Sequence, residues 1–123
     1  MGLSEKSVAA INTATESCLQ ALRDHDPDAY LENCTDDLVF SPPGQADVAG
    51  SVSARAFLDG FPTPKNASYQ YDQIEGNDDL AFARGTFTLT DENDESTSIR
   101  AVLIFRRDPG GVWRLALDIW HAD

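Results

Sequence analysis

Ionisable side chains are rare in the apolar stretches of this chain, which makes Asp118 conspicuous. It stands in GVWRLALDIWHAD, residues 111–123, among Trp113, Leu115, Leu117, Ile119 and Trp120. A carboxylate that faces water there belongs to an ordinary half-buried strand. One that faces an apolar interior loses hydration, its pKa rises, and it becomes a general acid or base working near neutral pH. Strand alternation alone sets Trp113, Leu115, Leu117 and Ile119 as a core row and leaves Asp118 in solvent beside Arg114. On the residues alone both readings stand.

The other candidates depend on the same question. His121 lies three residues beyond Asp118, on the opposite face of a regular strand, and reaches a pocket rim only through a terminal twist or bulge. Arg84, in LAFARGTF, is either a cation across the sheet that anchors a ligand or an exposed strand arginine. Cys18 and Cys34 form no disulfide framework and have no histidine at zinc spacing, so they read as small buried apolar residues. His25 suits the C-terminal end of a helix. No metal-ligand cluster and no Gly-rich phosphate loop is present, and DENDE is too short for a calcium loop, so neither metal nor organic cofactor is expected.

The elements that must position these residues follow from periodicity and punctuation. Val8, Ile11, Thr15, Cys18 and Leu22 mark a helical stripe from Ser4 to about His25, with Ser4 as cap. Asp26-Pro27 begins a short helix ending near Asn33. Leu38–Ser41 reads as a strand halted by Pro42 and Pro43, and Gly50-Ser51 opens a third helix over 52–59. ASYQYDQIE, LAFARGTFTLT, STSIRAVLIFRR and the final strand 112–121 then form a meander turned by GNDD, DENDE and DPGG. Three helices followed by four strands imply an α+β domain, 1–123, with helices laid on one face of a strongly curved, mainly antiparallel sheet. Helices that leave the concavity unfilled leave a pocket.

Bulk properties narrow the partners. The chain has 123 residues, enough for one domain, with 21 acidic against 9 basic residues and a net charge of −12. Such a surface repels nucleic acid and anionic lipid. No 18-residue apolar run or signal peptide is read, the opening Met-Gly is a poor myristoylation signal, and the cytoplasm is the expected location.

LENCTDDLVFSPPG, VAGSVSARAFLDGF, GNDDLAFARGTFTLT and FRRDPGGVWRLALDIW together resemble the ketosteroid isomerase/SnoaL-like group of the nuclear transport factor 2-like superfamily, over nearly the whole chain. The resemblance implies a cone-like α+β fold, an internal apolar pocket and dimers formed through the convex sheet face. The isomerase base position falls on Ser41, which is far too weakly basic for proton abstraction from carbon. The isomerase's oxyanion tyrosine and protonated aspartate fall on Cys18 and Leu103, and its supporting tyrosines near Leu58 and Cys34. Steroid isomerase chemistry is therefore disfavoured. SnoaL-like cyclases place an acid/base aspartate on the last strand, where this chain has Asp118. That alignment turns Ala116, Asp118 and Trp120 inward and Trp113, Leu115, Leu117 and Ile119 outward. Phe40 is expected on the pocket wall beside a rigid Pro-Pro-Gly lip. Two functions follow: binding of a small hydrophobic molecule with Asp118-dependent acid–base chemistry, or a non-catalytic dimeric ligand-binding or assembly module.

Overall fold

The computed structural model describes residues 2–122; Met1 of the Met-Gly pair lies outside them. In chain order come helices α1 (Glu5–Arg23) and α2 (Pro27–Leu31), strands β1 (Cys34–Ser41) and β2 (Val48–Ala49), helix α3 (Ser51–Asp59), and strands β3 (Asn66–Gly76), β4 (Leu80–Thr90), β5 (Ser96–Arg107) and β6 (Trp113–Ala122). The Ser4 side chain caps α1 by accepting from the Ser7 amide, and Asp26 caps α2 by accepting from the Ala29 amide. Gly50 starts α3 at φ 88°, a left-handed value that suits glycine.

The strands form one open six-stranded sheet in the order β2-β1-β6-β5-β4-β3. All pairings are antiparallel except β1 with β6, so the sheet is mixed. The expected meander is β3 to β6. The first strand is four residues longer than expected, because Cys34 pairs with Leu115 through a polar stretch, Thr35-Asp36-Asp37, that carries no strand signature. β2 is an addition, a two-residue edge paired with Val39 and Phe40.

Helix α1 lies across the concave face against β3 and β6. Small residues line part of that face: Ala67 on β3, Ala81 and Ala83 on β4 and Ala101 on β5 are all buried. Gly85 completes that row. A Cβ there would lie 2.0 Å from the Gln70 carbonyl oxygen and 3.1 Å from the Tyr69 ring. The Tyr69 ring crosses this gap, and its hydroxyl points at the carbonyls of Ala83 and Ala101, at 3.2 and 3.1 Å. The neighbouring register shift, between Tyr71 and Gln73, adds to the bend.

Strand β6 settles the facing of Asp118. Ile104 pairs with Leu117 but the next residue, Phe105, pairs with Leu115, so Ala116 is an extra residue, a bulge. Before the bulge the odd residues Trp113 and Leu115 face the helices and are buried at 5% and 2% exposure. After it the even residues take that face: Asp118 sits opposite Leu103 and Trp120 opposite Ala101, both buried partners. Trp113 and Leu115 are thus core residues and do not face outward. Leu117 and Ile119 do lie on the convex side, where Ile119 is 41% exposed.

Candidate acid–base site

Asp118 is 5% exposed, and its Oδ1 has no hydrogen-bond partner among the described residues. Desolvation raises its pKa from 3.8 to about 7. No cation offsets that cost. Arg114, the suggested companion, instead donates through Nε to Asp108 at 2.9 Å and through Nη1 to the Glu32 carbonyl at 2.6 Å. Arg84 is exposed, on the face opposite Ala83 and Gly85, and donates to Gln73 Oε1 at 2.9 Å. It does not reach the cavity, which corrects the ligand-anchor reading.

The carboxyl faces an apolar cavity of ≈ 40 Å³. Tyr30, Phe40, Leu58 and Phe87 are its buried wall, while half-buried Leu22, Phe61, Leu89, Ile99 and Trp120 ring its mouth. Phe40 is the hub of the wall: its ring stands 5.9 Å from Tyr30, 5.3 Å from Phe57 and 6.1 Å from Trp120. These side chains come from α1, α2, β1, α3, the segment after it and three strands of the sheet.

Of the residues singled out in the sequence, Asp118, Trp120, Phe40 and Leu58 meet at this cavity. Cys18 and Leu103 lie deeper, lining a smaller apolar space that shares Leu22, Tyr30 and Phe87 with the first. Cys34 lines neither; it is buried and directs its thiol at the Tyr30 carbonyl, 3.4 Å away. The two thiols are neighbours all the same: a hydrogen bond with Cys34, then burial, pushes the Cys18 thiol well above its ordinary value. His121 pairs with Arg100 on the exposed side of the sheet, so the bulge that turns Asp118 inward leaves the histidine outside. Ser41 pairs with Ile119 and shares its outward face. His25 lies beyond the Asp24 cap of α1, and its ring bonds to Thr63 rather than to helix carbonyls, which corrects the reading of it as a partner of the helix end.

Tyr30 escaped the sequence reading. It is the buried residue of a five-residue helix, too short to display a period. Burial raises its phenol pKa well above the ordinary value, with smaller contributions from Cys18 and Asp118. It therefore stays protonated, on a residue that lines the same cavity as Asp118. The Asp-Pro start of α2 and an aromatic one turn later were the available signal.

Three helices on the hollow of a curved sheet, with one uncompensated carboxyl in an apolar interior, define a nuclear transport factor 2-like architecture. The profile of the SnoaL-like domain matches residues 15–115, and the chain belongs to that family. Among solved structures, a protein of unknown function with a cystatin-like fold from Nostoc punctiforme PCC 73102 is similar at TM-score 0.87 and 22% identity, covering 100% of this chain and 96% of that one. An NTF2-like protein of unknown function from Pseudomonas putida KT2440 gives TM-score 0.81 at 26% identity, over 98% and 89% of the two chains. A ketosteroid isomerase-like protein from Erwinia carotovora atroseptica SCRI1043 gives 0.79 at 20% identity, over 95% and 96%. No curated protein matches in sequence. Among the described residues, no helix is long and apolar enough to cross a membrane.

Proposed function

We propose that this protein binds a small apolar molecule in the Asp118 cavity and moves a proton on it with the Asp118 carboxyl. The observation that carries this reading is a buried carboxyl with an unpartnered oxygen and a pKa of about 7 at the wall of an apolar cavity. Such a group costs stability and gains nothing from its neighbours, as expected where a function maintains it. At neutral pH it is present in both protonation states, so it can give or take a proton. Tyr30 supplies a neutral O–H donor to the same space. A ligand with one oxygen acceptor on an apolar frame matches this pair. The two unpaired interior thiols suit a reducing compartment, the cytoplasm.

The test is exchange of α-protons of an apolar enone, 2-cyclohexenone, into D₂O, followed by NMR. Exchange catalysed by the wild type, rising with pH through about 7 and lost in Asp118→Asn, supports the reading. A catalysed rate unchanged in Asp118→Asn removes Asp118 from the chemistry.

A second reading, a module that assembles as a homodimer, draws on the convex face. Phe82, Ile104, Leu117 and Val39 lie side by side across four strands, with Val102 and Ile119 in the next row. Arg84, Arg100 and Arg106 stand among or beside them, three of the nine basic residues of a chain with net charge −12. Arg100 and Arg106 are ion-paired with Asp72 and Asp37, so acidic charge on this face is partly neutralised toward a second copy. Sedimentation equilibrium separates a dimer from a monomer. A dimer that catalyses no exchange favours this reading over the first.

A further inference from the structure

The cavity is too small for the ligand class proposed above. Its ≈ 40 Å³ has room for water, whereas an engineered cavity that takes benzene measures about 150 Å³. Whatever enters must displace a wall. Phe87, Leu89, Ile99, Trp120 and Asp118 are held by strands in the interior of the sheet, and Phe40 is fixed by Tyr30 and Phe57. Phe61 is different. It is half-buried, its ring meets Phe57 at 6.0 Å between centroids, and it lies in residues 60–64, outside every helix and strand.

That segment is lightly tied. Exposed Gly60 stands at one end and buried Pro64 at the other. Pro62 and Pro64 have no N–H to give. The Phe61 amide reaches only back to Leu58, at 3.2 Å, and the next tie to the sheet is Lys65 N to Thr90 O at 2.8 Å. Between them one polar contact crosses to another element: Thr63 Oγ1 and His25 Nδ1, 2.9 Å apart. His25 holds its place at φ 49°, left-handed backbone that is uncommon outside glycine. Phe61 also backs a second small cavity lined by His25, Asp26, Pro27 and Pro62, which shares Leu22, Tyr30 and Leu58 with the first. Phe61 lines both spaces, and an outward swing of its ring would give up the Phe57 contact but no strand pairing.

We propose that residues 60–64 are a strap over the mouth of the Asp118 cavity, that Phe61 is its gate, and that the Thr63–His25 hydrogen bond latches it. The proposal rests on the cavity being the ligand site. The hydroxyl can donate to a bare Nδ1 or accept from a protonated one, so the latch holds in either tautomer.

The experiment is stopped-flow binding of the neutral fluorophore N-phenyl-1-naphthylamine to wild type, Thr63→Val and Phe61→Ala. Losing one exposed hydrogen bond is expected to raise the association and dissociation rate constants together by roughly two- to fivefold, leaving Kd within about twofold. Phe61→Ala, which removes the gate, should be faster still. Equal rates in wild type and Thr63→Val overturn the latch, as does a change confined to dissociation, which makes the bond a ligand contact. Probe binding to none of the three proteins overturns the gate itself. NMR titration of Asp118 then reports separately on the acid–base reading: a midpoint near 7 keeps it, and an ordinary midpoint removes it.

Discussion

Asp118→Asn should stabilise this protein, and more so as pH rises. The folded-state pKa is raised from 3.8 to about 7. Between those values the folded chain keeps a proton that the unfolded chain has released. Stability therefore falls as pH rises through this window, and the full cost is reached above it, about 4 kcal/mol by linkage. From pH 5 to pH 8 the cost grows by roughly 2.5 kcal/mol. Asparagine has similar shape and no charge to desolvate. The stability difference between variant and wild type should widen by that same amount over the interval. Cys18 and Tyr30, whose values are pushed upward, titrate above the window and leave it clean. Surface carboxylates act equally in both proteins and cancel. Urea unfolding at pH 5, 6.5 and 8 measures the difference directly. Parallel pH profiles for the two proteins would refute the argument, since a solvated or charge-paired Asp118 predicts no widening.

Three more outcomes follow from the packing. Gly85→Ala places a methyl 2.0 Å from the Gln70 carbonyl oxygen, so it should cost upward of about 2 kcal/mol in urea unfolding, where an exposed strand site costs little. Cys18 and Cys34 are buried and the Cys18 thiol is pushed up, so a colourless disulfide reagent should label neither at pH 7.5 until denaturant is added; labelling in the native state would contradict the core arrangement. Ile119→Lys puts a charge in the proposed dimer face at a residue already 41% exposed, so sedimentation should report dissociation with an unchanged unfolding midpoint for the monomer. Unaltered dimers would move the interface elsewhere.

Where pattern and turn chemistry were strong, the residues told the fold. Ile11, Thr15 and Cys18 do face the core of α1, Asp26-Pro27 does begin α2, and the last strands do form a meander. The α+β class was legible, whereas the residues alone left Asp118 either inward or in water and only the family resemblance turned it inward. The errors share a physical origin. Side-chain facing in β6 depends on one extra residue, and nothing about Ala116 announces it: an alanine fits either face and a bulge needs no glycine here. Reading the strand as regular forced a choice between a buried Trp113–Leu115 row and a buried Asp118, although the chain has both. Arg84 was ambiguous because Leu80 and Phe82 on its own face are as apolar as the inward alanines. The polar opening of β1 and the two residues of β2 are strands by pairing alone.

The Ala116 bulge also divides the terminal strand into two halves with different neighbours. Upstream of it, Trp113 and Leu115 seat the first helix and respond to volume and cavity costs. Downstream, Asp118 and Trp120 line the apolar cavity. Deleting Ala116 would restore uniform alternation with Leu115 still opposite Phe105 and Asp118 still opposite Leu103, both inward, whereas pairing Ala116 regularly would turn either the helix seat or the carboxyl outward. One surplus alanine thus lets a single strand bury both an apolar pair and a carboxyl on the same side.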